Sequence, residues 1–202
     1  MFCRAYIRIF PVVLLGIFCV SSSGIASDAT PKERIQGAVE RIQKIIRDEN
    51  LSQDDRTRQI RQIARPLFDF TEMTRRAFGR HWKDLDGAQR KEAVPLFEKI
   101  LEFQYLSKIE LMKEARMADA KEEMEQDFAR VQQNAFLKNG NEIRIDYRLH
   151  RIKGEWKIYD ISAMGVSLVN NYRAQFEAVI AKSSLDDLLK KMRDKVESLE
   201  RR

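Results

Sequence analysis

The chain has 202 residues, 44% of them hydrophobic and 34% charged, with 8 Gly, 4 Pro and a net charge of +6. This composition excludes collagen-like and low-complexity chains and supports one domain with an ordinary core. Two cysteines and two histidines are too few for a disulfide framework or a multi-histidine metal site, and neither a dinucleotide-binding nor a Walker-type glycine loop occurs.

Residues 1–26 read as an export signal. Arg4 and Arg8 precede a twelve-residue apolar run, Ile9 to Val20, and Gly24 and Ala26 place small residues where a signal peptidase cuts, before Ser27. Twelve residues are too short to span a bilayer as a helix. The expected organisation is a signal peptide, 1–26, and a single domain, 27–202. Cleavage leaves 176 residues with a net charge of +4, and it removes both Cys3 and Cys19. A mature chain without cysteine has neither a disulfide staple nor thiolate chemistry, so it holds together by burial alone. Its charges are interleaved on helix faces. With export, this argues against a nucleic-acid partner and suits a basic surface facing anionic lipid headgroups.

Thr30-Pro31-Lys32-Glu33 forms a capping box, and Ile35, Val39, Ile42 and Ile46 follow at helical spacing. Ser52 starts a second helix whose apolar stripe is Ile60, Ile63, Ala64 and Leu67. Asp69 caps a short third helix carrying Phe70, Met73, Ala77 and Phe78, and Gly79 ends it. The fourth helix, about Gly87 to Met112, carries two stripes. Phe97, Leu101, Tyr105, Ile109 and Met112 form one; Leu96, Ile100, Phe103 and Leu106 form the other. So wide an apolar arc belongs either to the central helix of a core or to one with a side on an apolar cavity.

Beyond Ala115 the period changes from helix to strand. Ile143, Ile145, Tyr147 and Leu149 alternate with Arg144, Asp146, Arg148 and His150, and Lys153-Gly154 turns the chain into a strand over Trp156 to Ile161. Phe128 to Leu137 is a preceding strand, and Arg116 to Met124 is a weaker one. Gly165 ends the sheet. A helix from Val166 and a last one capped by Ser184 close the chain. The expected class is α+β: an antiparallel meander of three to four strands, packed against N-terminal and C-terminal helices.

No catalytic constellation is legible. His81 has Glu72, Asp84 and Asp86 as possible carboxylate partners, but no GxSxG elbow, SxxK pair or cysteine supplies a nucleophile. His150 falls on the polar face of its strand. Asp160, near a strand end, reads as a capping or hydrogen-bonded residue.

The run Trp156 to Phe176, containing Tyr159-Asp160-Ile161-Ser162 and Asn170-Asn171-Tyr172, resembles a signature of the MlaC family. Phe68-Asp69-Phe70-Thr71-Glu72-Met73, Gly79-Arg80-His81-Trp82 and Tyr147-Arg148-Leu149 agree with it in the same order. These are periplasmic phospholipid-binding proteins, also known as toluene-tolerance proteins or auxiliary components of ABC transporters. The resemblance implies an NTF2-like fold and a monomeric, non-catalytic shuttle with no cofactor and a phospholipid as cargo. Its implied partners are an outer-membrane lipoprotein/porin complex and an inner-membrane MCE-domain ABC transporter. A hopanoid-associated branch shares the motifs, and an envelope interaction protein is the reading from another class.

An acyl chain leaving a bilayer forfeits about 0.8 kcal/mol per methylene unless the protein buries it again. Two chains call for a cavity of roughly 1,000 Å³. Its expected walls are Phe70, Met73, Phe97, Ile100, Leu101, Tyr105, Tyr147, Leu149, Trp156, Val166, Val169 and Phe176, with a basic rim outside.

Overall fold

The computed structural model describes residues 29–106 and 112–201. The expected signal peptide lies outside the described residues, as does Ile109 of the fourth helix.

Four helices come first: α1 (Pro31–Arg47), α2 (Gln53–Ala64), α3 (Phe70–Phe78) and α4 (Gly87–Leu106). The capping box forms as read. Glu33 N–H donates to the Thr30 hydroxyl at 3.2 Å and Thr30 N–H to the Glu33 carboxylate at 2.9 Å. Ser52 caps α2 and Asp69 caps α3 through the same kind of bond. Between α2 and α3 the chain turns through a single 3-10 turn at Arg65–Leu67, which accommodates Pro66. Gly79 ends α3 at φ 59°, and a β-carbon there would lie 2.9 Å from Arg173 Nε, whose N–H donates to the Arg76 carbonyl. Only glycine meets both demands.

The sheet has six antiparallel strands rather than three to four. They are β1 (Arg116–Met117), β2 (Lys121–Glu125), β3 (Phe128–Phe136), β4 (Glu142–Ile152), β5 (Glu155–Ala163) and β6 (Val166–Ser167). The order is β1-β3-β4-β5-β6, and β2 pairs with β3 along the same edge that β1 uses further on. Two reasons account for the count. The weak segment Arg116 to Met124 splits in two, and Val166 pairs with Ala163 across the Met164-Gly165 turn before the helix begins. Both turn residues have positive φ, as a tight hairpin requires. Helix α5 (Leu168–Lys182) therefore starts two residues later than its apolar period suggests, and α6 (Leu185–Glu200) follows. Edge strand β2 exposes Lys121, Glu123 and Glu125, while Glu122 accepts the Lys32 backbone N–H at 2.6 Å near the start of α1.

The apolar residues form two clusters. Phe97 and Phe176 centre one, among Met73, Phe78, Tyr172, Leu189 and Met192 from α3, α5 and α6; Phe97 meets Tyr172 and Phe176 edge-on at 4.9 and 5.6 Å. The other sets the inward face of the sheet, Val131, Tyr147, Leu149, Trp156 and Ile158, against Ile35 and Ala38 of α1. Phe68 packs on both clusters. Beside it, Asp69 N–H donates to the Ile158 carbonyl at 2.8 Å, stitching the start of α3 to the edge of β5.

A bulge at Tyr159 lets β5 serve two purposes. The pairing shifts between Arg148 and Leu149, leaving Tyr159 as the extra residue, with the Arg76 guanidinium 4.1 Å over its ring and His150 5.3 Å away. Asp160 is buried. It accepts from the Ser167 hydroxyl at 2.7 Å and the Val169 N–H at 3.1 Å, and Arg148 lies 3.5 Å away. Of the two roles the sequence allowed, this carboxylate takes that of a hydrogen-bonded residue, supporting the start of α5, whose N-cap is Ser167.

Asp160→Ala strands these donors in a buried setting, so unfolding free energy should fall by about 2–4 kcal/mol; a smaller drop in the urea midpoint analysis than about 1 kcal/mol would show this support to be dispensable. Burial pushes the Tyr147 phenol up to about 12. Above pH 10 the unfolded chain therefore loses this proton first, and stability should decline by about 1.4 kcal/mol per pH unit until the native group also ionises. Urea titrations from pH 9 to 12 should show a shallower decline in Tyr147→Phe, with the remaining slope including Tyr172, whose phenol burial also raises.

Candidate functional site

The two apolar clusters do not close on each other. Between them lies a cavity of about 550 Å³. Ile35, Ala38, Val39 and Ile42 of α1 wall one side, and Phe70, Met73, Leu101 and Tyr105 of α3 and α4 wall the other. Its floor is sheet: Ile143, Ile145 and Tyr147 from β4, Ile158, Ile161 and Ala163 from β5, and Val166 from β6. The floor exists because β4 and β5 alternate, sending every second side chain inward while Arg144, Asp146 and Arg148 take the opposite face. Helix α4 resolves its two stripes by serving both uses read from its sequence. Phe97, Ile100 and Leu101 pack in the helical core, and Leu101 with Tyr105 also borders the cavity.

Six of the twelve expected wall residues lie on the cavity: Phe70, Met73, Leu101, Tyr105, Tyr147 and Val166. The structure places the other six elsewhere. Phe97, Ile100, Val169 and Phe176 belong to the helical cluster, and Leu149 and Trp156 to the cluster under the sheet. Side chains that touch only protein and side chains that border a void have the same periodicity, so the stripes alone could not divide them. Sequence reasoning missed the α1 side and the isoleucines at 143, 145 and 161. Their one available signal was the alternation that had already marked Ile143 and Ile145 as inward-facing.

The mouth between α2 and α4 carries four charged residues on the cavity lining: Arg61 and Arg65 against Glu98 and Glu102. Arg65 Nε donates to Glu98 at 2.5 Å, and Arg61 Nε donates directly to Glu102. The bond to Glu98 raises the Arg65 guanidinium above its ordinary value. Each helix contributes its pair one turn apart, so the ion pairs form two rungs. The rim is thus charge-matched, where a surplus of base was expected.

Each histidine has a carboxylate nearby. His81 Nδ1 lies 3.6 Å from Asp84, and His150 Nε2 lies 3.1 Å from Asp69. Asp86 is engaged as the acceptor for Ala88 and Gln89 N–H groups at the start of α4. Burial raises the Glu72 pKa, but hydrogen bonds from Arg75 and Arg76 outweigh it and hold the carboxyl below its usual range. Among the described residues, no three metal-ligating side chains are grouped to hold an ion, and no helix is long and apolar enough to cross a membrane.

Comparison with known proteins agrees with this architecture. The chain is similar to the intermembrane phospholipid transport system binding protein MlaC of Haemophilus influenzae, with 22% identity over 194 residues, covering 89% of this chain and 87% of that protein. Its fold is similar to that of the phospholipid-binding protein from Ralstonia solanacearum solved in complex with a phospholipid. There the TM-score is 0.73 at 24% identity, over 84% of this chain and 98% of that one. The family model for the MlaC protein matches residues 36–194, and the chain accordingly belongs to the MlaC family.

Proposed function

We propose that the chain, freed of residues 1–26, works in the periplasm as a non-catalytic carrier of phospholipid. It passes its cargo between an outer-membrane lipoprotein/porin complex and an inner-membrane MCE-domain ABC transporter, and so serves outer-membrane lipid asymmetry. The observation that carries the reading is the apolar cavity of about 550 Å³ between sheet and helices. Support also comes from the two relatives, one named for phospholipid transport and the other for phospholipid binding.

In this reading Phe70, Met73, Leu101, Tyr105, Tyr147 and Val166 touch acyl chains, together with the α1 stripe and the β4 isoleucines. The cavity offers about half of the roughly 1,000 Å³ that two chains call for. Loading a second chain therefore widens it. The wall that yields is the one between α2 and α4, because α2 buries little apolar surface of its own, Ile60 being its one fully buried residue.

Native mass spectrometry of protein purified from the periplasm without detergent should find one stoichiometric phospholipid. A hopanoid in its place would move the protein to the other branch of the family, and a chain that is empty and takes up nothing from vesicles would refute the carrier reading. Ile145→Trp, filling the floor from a half-buried position, should cut the co-purifying lipid several-fold while the circular dichroism spectrum stays that of the wild type.

A further inference from the structure

We propose that the Tyr147 hydroxyl is a specificity-determining group inside the cavity, one that favours an acyl chain carrying an oxygen part-way along its length over an unsubstituted chain. This rests on the carrier reading, since only a chain lodged between sheet and helices reaches it.

Tyr147 is 9% exposed and lines the cavity. On the inward face of the sheet it stands between Val131 of β3 and Ile161 of β5, with Ile145 two residues before it, so hydrocarbon surrounds the ring. Polar side chains elsewhere on the lining are engaged by protein. Gln43 donates to the Ala115 carbonyl at 2.8 Å, Ser167 donates to Asp160 at 2.7 Å, Asn171 accepts from Gln175 at 3.3 Å, and the two arginines pair with the two glutamates. The buried phenol of Tyr172 donates to Gln104 at 2.8 Å. The Tyr147 hydroxyl has no such partner among the described residues.

A buried O–H needs an acceptor. Water can supply one in an unloaded cavity, but a hydrocarbon chain drives that water out and leaves the hydroxyl unpaired. Burial pushes the phenol up to about 12, so it stays a donor through the ordinary pH range. A chain with a hydroxyl or carbonyl oxygen at the level of Tyr147 accepts this proton and restores the bond. At one end of the lining Val166 is exposed and Ile143 half-buried, and Tyr147 lies four residues further in along β4, a span of about 13 Å. An extended chain advances about 1.2 Å per bond, which puts the matching oxygen on roughly the tenth carbon. Discrimination comes from the hydroxyl that an unsubstituted chain leaves without a partner.

The test loads the intact mature protein from vesicles holding equal amounts of two phosphatidylethanolamines that differ in one acyl chain, stearoyl in the first and stearoyl hydroxylated at about the tenth carbon in the second. The ratio of bound lipids is read by mass spectrometry for the wild type and for Tyr147→Phe. Dividing one ratio by the other cancels what the chain hydroxyl costs or gains in the bilayer. The wild-type ratio should exceed that of the variant about tenfold in favour of the hydroxylated lipid, corresponding to about 1.4 kcal/mol, and the variant should take up more of the unsubstituted lipid than the wild type does. Equal ratios in the two proteins, or a variant that takes up no more unsubstituted lipid, overturn the role of Tyr147 and leave the carrier reading standing. A wild type that loads neither lipid overturns both.

Discussion

Apolar surface is stable in a folded chain only when something other than water covers it. In this protein the inward face of β4 and β5 and the inward stripe of α1 are held away from Leu101 and Tyr105, so the two cores meet at Phe68 and leave a gap beyond it. The gap is held open by elements whose own packing is complete. The aromatic cluster around Phe97 fixes α4 against α5, and Leu149 and Ile158 hold the sheet beneath α1. Everything placed on the cavity, floor and mouth alike, inherits its position from these two filled regions.

Asp160 and Asp69 carry the connection between them. Asp160 lies in β5 and its side chain accepts from the start of α5, while Asp69 caps α3 and donates its backbone N–H to β5. Helices α3 and α5 are thereby hung on the strand that supplies part of the cavity floor. The bulge at Tyr159 makes this possible, because the extra residue turns Asp160 toward the start of α5 while Ile158 and Ile161 remain inward.

Much of this was legible in the sequence. The helix starts at Thr30, Ser52, Asp69 and Ser184 follow from hydroxyl and carboxylate chemistry acting over three residues, which needs no tertiary context. The α+β order follows from the change of period near Ala115. What was not legible depends on distance through space. Val166 looks helical because it continues the stripe of Val169 and Tyr172, yet the Met164-Gly165 turn captures it into the sheet. Phe97 and Leu101 lie one helical turn apart in the same buried cluster, and only the positions of α1 and α5 decide that Leu101 also borders the cavity and Phe97 does not. Arg61, Arg65, Glu98 and Glu102 show an i, i+4 spacing in each helix, but their pairing across a mouth belongs to the fold.

The charge-rich edge strand has a further consequence. Four of the five residues of β2 are charged, and three of those are glutamates. A second copy approaching edge to edge would bring a strand of net charge −2 against its like, with no apolar side chain except Met124 to offset the repulsion. Sheet growth from one molecule into the next is closed off on this side. A fold that leaves apolar surface uncovered within itself thus presents an outer edge that resists aggregation, and the two properties sit on different strands of the same sheet.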